Sequence, residues 1–452
     1  MKIFLPTLKE NWEKDINFII NQSLLSVDPY QCAAVKINIR GDDLFIFEKK
    51  IDLKKINNIY IIGVGKAVIP MAKAVVYKLG KRITSGFIIS KHQLVKENRE
   101  FEEKIQIFYG GHPIPNRQSI ESTKKLRTFL KKVNEDDLII NLVSGGGSAL
   151  MTLPYEGITL GDIKHFTNII LKSGATIQEI NTIRKHIDRI KGGGVARMAY
   201  PARMETLILS DVLGDQISMI ASGPTSMDET TYEDACGIIQ KYNIKNEIPK
   251  SIINHLIKGM RGEVQETVKS DDEVIRNVTN NIIGSLKTAI NSAEEAAKES
   301  GYNTVILSTK LIGEARELGK VFGSILANMV ESDSLIKKPA CAIAGGETTV
   351  TILGNGKGGR NQELALGAVG HIDGLRDCCL ISIATDGEDG PTDAAGAFVT
   401  GRTKSRAKGK GLDHEQYLAN NDAYNFFKRT DNLVKIGPTG TNVNDLLFLF
   451  AF

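Results

Sequence analysis

Short apolar runs alternate with amphipathic stretches along the chain, and most of the runs end in glycine or small polar residues. Leu8, Trp12, Ile16, Ile19 and Ile20 recur at helical spacing and predict an amphipathic helix over 7–25. Ile59-Tyr60-Ile61-Ile62 reads as a buried strand. It runs into Gly63-Val64-Gly65-Lys66 and then a helix carrying Val68, Met71, Ala72, Val75 and Leu79 on one face. Similar units follow: strand 105–109 into Gly110-Gly111-His112-Pro113, strand 138–143 into Ser144-Gly145-Gly146-Gly147-Ser148, and strand 206–210 into Asp211-Val212-Leu213-Gly214-Asp215. Further along, a long helix is expected over about 277–299, then strand 304–308 and helix 313–330. Strand 340–344 feeds Gly345-Gly346-Glu347-Thr348-Thr349, and strand 379–384 feeds Thr385-Asp386-Gly387. The terminal LLFLFAF reads as a buried strand.

Strands alternating with helices predict an α/β protein with largely parallel sheets. In such sheets ligands bind at the carboxyl ends of strands. The polar stretch 258–274 breaks the apolar pattern and reads as a crossing between two domains, 1–265 and 266–452. Glycines also follow strands as ordinary turns, but that reading explains the aspartate-rich strand ends poorly.

Composition narrows the class. The 452 residues are 42% hydrophobic and 24% charged, as in an ordinary globular protein. The net charge of +4 is too small to argue for nucleic acid. Cys32, Cys236, Cys341, Cys378 and Cys379 are odd in number and show no CxxC spacing, which argues against a disulfide framework or a zinc site. No apolar run reaches the ~20 residues of a membrane span, and the N-terminus lacks a signal-peptide core. A cytoplasmic enzyme with no membrane partner is expected. A homo-oligomer is compatible with the sequence, which sets no oligomeric state.

The loops carry the chemistry. Gly63-Val64-Gly65-Lys66 is neither a complete GxGxxG fingerprint, since Val68 stands at the third glycine, nor a P-loop. It leaves a glycine turn and Lys66 at a helix start, where backbone amides and the ammonium favour an anion. Ser144 to Ser148 offers successive amides and two hydroxyls as a cradle for phosphate or carboxylate. The run Gly354-Asn355-Gly356-Lys357-Gly358-Gly359-Arg360-Asn361 reads as a mobile loop delivering Arg360 to a phosphate. Asp386, Glu388, Asp389 and Asp393 cluster after one strand, where carboxylates suit Mg²⁺ or a proton acceptor. His112 and His186 are lone histidines, each open to a structural or a substrate-touching role. The basic run Arg402 to Lys410 has no interleaved aromatics and reads as solvated surface.

These segments together resemble the class II glycerate kinases, whose C-terminal part is the MOFRL domain. The resemblance is carried by IIGVGKA, GGHPIP, LVSGGGSAL, NTIRKHIDRIKGG, LILSDVLGD and IASGPT in the first half. In the second half ILSTKLIGEARE, AGGETTV, GKGGRNQELAL, ATDGEDGPTDAAGA and GPTGTNVNDL carry it. It implies an N-terminal Rossmann-like doubly wound domain, a C-terminal MOFRL-type α/β domain and an active site in the cleft between them. It implies ATP-dependent phosphorylation of D-glycerate, typically at the 2-hydroxyl, in carbohydrate-acid metabolism, and the aspartate-rich strand ends add an expected dependence on magnesium. The family's functional lysine maps to Lys66 and its functional arginine to Arg360.

On that basis Lys66, Arg360, Asp211 and Asp386 are the expected catalytic residues. Gly63, Gly65, Ser144, Gly145, Gly146, Gly147, Ser148, Arg184, Lys191, Glu347, Asn361, Asp393 and Asn442 are expected to bind substrate or phosphate, with Asp386 and Asp393 at Mg²⁺. Asn116 and Asp188 depart from the family's common residues and are expected to tune surface turns. Gly194-Val195 replaces a common Arg-Leu, which leaves Arg184, Lys185 and Lys191 as nearby cations. The rival readings are an NAD(P)H-dependent hydroxypyruvate reductase and a non-enzymatic sugar-acid-binding regulator.

Overall fold

The computed structural model describes residues 5, 8–92, 99–332 and 335–452. The chain divides into two compact units, one of residues 29–210 and 215–283, the other of residues 1–28, 211–214 and 284–452.

The first of these is built on a six-stranded sheet. Its spatial order is Ile105–Tyr109, Ile83–Ser90, Ile59–Val64, Leu138–Val143, Arg203–Leu209, Val278–Gly284. Numbered along the chain this is 3-2-1-4-5-6, the order of a doubly wound dinucleotide-type sheet. The pairings among the first five strands are all parallel. Ile59–Val64 and Leu138–Val143 are buried at every position, as central parallel strands must be. Tyr60, Ile62, Phe87, Ile89, Phe129, Ile139 and Met204 pack into the core against the sheet.

The stretch expected as one helix over 277–299 splits. Val278–Gly284 is the edge strand, and the helix is Leu286–Glu299. The edge position explains the polar residues: Asn280 accepts from Thr225 Oγ1 at 2.7 Å and donates to the Thr225 carbonyl at 2.9 Å. The polar stretch 258–274 lies within this unit, and the passage to the other unit falls at Ile283 and Gly284. A three-stranded antiparallel meander, Ile37–Arg40, Asp43–Ile46 and Lys49–Asp52, also belongs to it.

The second unit has its own six-stranded sheet, in the order Asn303–Leu311, Ala340–Gly346, Asp445–Ala451, Cys378–Ala384, Gly396–Val399, Leu433–Val434. Only its first pair is parallel; the other four pairings are antiparallel, so the expectation of largely parallel sheets fails here. Two of the four come from Asp445–Ala451, which enters between two strands running the opposite way. All its residues are buried, as its unbroken apolar run requires. Its reversed direction puts Asp445 at the same end of the sheet as the carboxyl ends of Ala340–Gly346 and Cys378–Ala384. The helix Glu10–Leu25 belongs to this unit, where Tyr302 donates to Asp15 at 2.9 Å and Ser23 donates to the Ala289 carbonyl at 2.8 Å. Among the described residues no helix is long and apolar enough to cross a membrane.

Candidate active site

In the doubly wound unit the strand order reverses between Ile59–Val64 and Leu138–Val143. The loops leaving these neighbours are stitched together. Gly65 N–H donates to the Ile89 carbonyl at 3.2 Å, Lys66 N–H to the Gly145 carbonyl at 3.0 Å, and Ala67 N–H to Ser144 Oγ at 3.0 Å. Three amides expected to face an anion are thus already occupied. Gly63 and Gly65 serve close packing instead. A Cβ on Gly65 would lie 2.0 Å from Ser144 Oγ and 2.7 Å from the Ser144 carbonyl, and Gly65 holds φ +141°. A Cβ on Gly63 would lie 2.5 Å from Val68, the residue that stands at the third fingerprint glycine.

The next loop is open. Among the described residues the backbone N–H groups of Gly145, Gly146, Gly147 and Ser148 have no hydrogen-bond partner. Successive unpaired amides form an anion-binding concavity. A Cβ on Gly146 would lie 2.8 Å from the His112 ring and 3.3 Å from Lys66 Cε, so both side chains sit over this loop. Lys66 makes no hydrogen bond or ion pair among the described residues. Burial, then Lys66 itself, pushes His112 down to about 4, so at neutral pH His112 is an uncharged neighbour of that ammonium.

The loop's far side rests on residues that sequence reasoning left unassigned. Ser148 Oγ meets Ser222 Oγ at 2.8 Å, and Ser222 Oγ donates to Asn181 Oδ1 at 3.3 Å. Ala221 and Ser222 hold φ +50° and +60°, a region that costs a non-glycine residue on the order of 1 kcal/mol. IASGPT and NTIRKH each contained one of these partners, but nothing in either segment says that they meet.

Lys191 is not an open cation. Its Nζ lies 2.7 Å from Asp188 Oδ2, and both side chains are buried. Asp188 also accepts from Thr152 Oγ1 and from the amides of Leu153 and Ile190. It is therefore a core anchor, not the surface-turn residue expected. Asp188→Ala should strand the Lys191 charge and cost about 3 kcal/mol, read as a lower urea midpoint. Asn116, by contrast, caps the helix Arg117–Leu130 in a capping box with Ser119. His186 is buried between the Thr182 carbonyl and Glu266. Arg184 is half-buried on the helix Ile177–His186.

In the second unit Arg360 opens the helix Arg360–Ala368. Its Nε lies 2.6 Å from Asp445 Oδ2, its Nη2 3.3 Å from Asp445 Oδ1 and its Nη1 2.8 Å from Glu347 Oε1. Burial pushes the Asp445 carboxyl up to about 7 against the pull of Arg360. Burial would also lower Arg360, yet Asp445 and Glu347 raise it above its ordinary value. With both Asp445 oxygens facing guanidinium nitrogens, the ionised pair is the state the geometry favours.

The glycine-rich loop before Arg360 is tethered by hydrogen bonds along its length. The amides of Leu353 and Gly354 donate to Asn421 Oδ1, that of Asn355 to Asn420 Oδ1, that of Gly356 to the Asn420 carbonyl and that of Lys357 to Asp422 Oδ1. Its glycines permit close approach: a Cβ on Gly354 would lie 2.4 Å from the Asn420 carbonyl, and on Gly359 2.3 Å from the Asp389 carboxylate.

The expected acidic cluster separates by task. Asp389 is buried and caps the helix, accepting from the amides of Asn361 and Gln362 at 3.1 and 2.8 Å. Asn361 faces inward, accepting from Ser382 at 2.7 Å. Asp393, whose side chain stays largely exposed, is engaged by Lys435 at 2.7 Å through one oxygen and by Tyr424 at 2.7 Å through the other. Asp386 Oδ1 accepts from the Glu388 amide, while its backbone carbonyl accepts from Thr439. Asn442 turns its own loop by accepting from the Asn444 amide at 3.1 Å. Asp211 lies in the 211–214 segment that groups with this unit, where Gly214 approaches Lys310. Among the described residues no group of three or more His, Cys, Asp or Glu side chains is placed to hold a metal.

A lone lysine over open amides at the switch point of a doubly wound sheet is the build of an α/β enzyme that handles an anionic substrate. Residues 15–257 match the model of a domain of unknown function, DUF4147, and residues 340–445 match the MOFRL family. The chain is 43% identical to a D-glycerate 2-kinase of Thermotoga maritima over 87% of this chain and 91% of that protein. It is 40% identical to a glycerate 2-kinase of Pyrococcus horikoshii over 95% of each. A 38% identical relative from Agrobacterium vitis carries a provisional hydroxypyruvate reductase name, with 85% of this chain and 97% of that one covered. The crystal structure of a glycerate kinase from Thermotoga maritima superposes with a TM-score of 0.86 at 40% identity, covering 98% of this chain and 100% of that one. The chain belongs to the glycerate kinase family.

Proposed function

We propose that this protein transfers the γ-phosphoryl group of ATP to the 2-hydroxyl of D-glycerate. The observation that supports this most is the run of four amides, Gly145 to Ser148, and the neighbouring Lys66, all without a hydrogen-bond partner among the described residues. In this reading glycerate meets the loops of the doubly wound unit. ATP, entering as its magnesium complex, meets the loops around Glu347, Arg360 and Asp386. Phosphoryl transfer then proceeds by positioning and charge neutralisation. The 2-oxygen forms a bond to the γ-phosphorus as the bond to the β-phosphate oxygen breaks. The hydroxyl proton passes to a carboxylate, with Asp211 and Asp386 the candidates. Magnesium here is part of the donor substrate, which usually brings most of its own ligands.

A coupled ADP-release assay should show turnover with D-glycerate that EDTA abolishes and added Mg²⁺ restores. Turnover that survives EDTA would remove magnesium from the reaction. The hydroxypyruvate reductase reading is favoured only by the relative's name. Val68 fills the space of the third fingerprint glycine, and Ser144 takes the Ala67 amide where a pyrophosphate would bind. NADH should therefore not be consumed with hydroxypyruvate; steady oxidation at 340 nm (an ordinary absorbance assay, roughly the nicotinamide band) would reverse the assignment.

A further inference from the structure

Arg184, Lys185 and Lys191 lie on or just after the helix Ile177–His186, and their charges are balanced unequally. Lys185 pairs with Asp228 at 3.0 Å, and Lys191 pairs with Asp188 at 2.7 Å, all four side chains being buried. Arg184 is half-buried too, yet among the described residues it makes no hydrogen bond and no ion pair. Burial lowers its pKa, whereas Lys191 is neutralised by its own carboxylate. A desolvated charge without a counter-ion is costly, and folded proteins seldom retain one without a use.

Its position suggests the use. Arg184 stands one helical turn after Asn181, on the same face. Asn181 is joined through Ser222 to Ser148, the last residue of the open-amide loop. The guanidinium is thus carried on the element that braces the cradle. The cradle and Lys66 offer a curved set of donors suited to a tetrahedral group. A planar guanidinium fork instead matches the two oxygens of a carboxylate.

We propose that Arg184 receives the carboxylate of the acceptor substrate, and so makes the protein select hydroxy acids over neutral polyols. This rests on the kinase reading above. It leaves the Gly145–Ser148 amides and Lys66 to the phosphoryl oxygens in transit.

Steady-state kinetics on Arg184→Gln should show KM for D-glycerate rising about 10- to 100-fold, the range for a lost hydrogen bond to a charged group. KM for ATP should stay within about twofold, since only uniform acceptor binding is removed. Calorimetry should show the same loss for D-glycerate, while the neutral amide D-glyceramide binds wild type and variant alike. A rise in KM for ATP with glycerate unaffected would give Arg184 to the nucleotide phosphates and overturn the proposal. Unchanged constants for both substrates would overturn it as well. If the glutamine variant does not fold, Arg184→Lys keeps the charge, and the same split between KM values decides. Should wild type release no ADP with D-glycerate, the kinase reading falls by itself. Calorimetric affinities of wild type and Arg184→Gln for D-glycerate then judge Arg184, and equal values reject it.

Discussion

Arg360→Ala should lower turnover on the order of 10³-fold, as expected for an arginine facing a transferring phosphoryl group. Arg360→Lys should fare little better. The native guanidinium holds both oxygens of Asp445 and one of Glu347 at once, at 2.6, 3.3 and 2.8 Å, and an ammonium cannot span that set. The alanine variant should also melt earlier, because it leaves the buried Asp445 without its partner. Stability and catalysis can be separated. Asp445→Asn in the Arg360→Ala background should restore much of the melting temperature and none of the turnover. If the double variant recovers activity as well, Arg360 is structural and leaves the mechanism.

Lys66→Ala should cost about 10²- to 10³-fold in turnover, the range for one electrostatic donor at a transition state. Its effect on stability should differ from that of Arg360. Among the described residues Lys66 has no hydrogen bond or ion pair to break, so circular dichroism melts should match wild type. One spectroscopic check follows. Removing the ammonium should raise the pKa of His112 slightly from about 4, and only slightly, because burial is the larger cause. A large rise would mean that Lys66 dominates that environment. Near-normal turnover would exclude Lys66 from the chemistry.

Much of the doubly wound unit was legible because its central strands are unbroken apolar runs ending in glycine, a pattern set by burial on both faces. The strand Ile83–Ser90 was missed because Thr84, Ser85 and Gly86 interrupt its start. Val278–Gly284 has no strand signature because Asn280 satisfies an edge contact that no local periodicity encodes. At the site, glycine density was correctly seen, but its cause was ambiguous. Glycines that open amides to a ligand and glycines that let two backbones touch look alike in a sequence. Gly145 to Gly147 are of the first kind, and Gly63, Gly65, Gly354 and Gly359 of the second. The same ambiguity holds for charge. Lys191 and Arg184 are separated by seven positions and read as equals, until Asp188 turns out to face only one of them.

The unit that carries Arg360 is assembled from residues 1–28, 211–214 and 284–452, with the whole of the other unit inserted between the first and the last of these segments. On a ribosome the two would therefore finish in the reverse of the order in which they start. The helix Glu10–Leu25 emerges early, with Ile16, Ile19 and Ile20 destined for full burial. Its partner Leu286–Glu299 is made only after the doubly wound unit is complete. Throughout that interval the nascent chain trails an apolar stripe with nothing to cover it, the kind of surface that chaperones bind and that promotes aggregation. Closing so long a loop adds little to the equilibrium free energy but sets a late, slow step. Overproduction that outpaces chaperone supply would then fail through this helix first, leaving a folded nucleus of doubly wound units joined by sticky leaders.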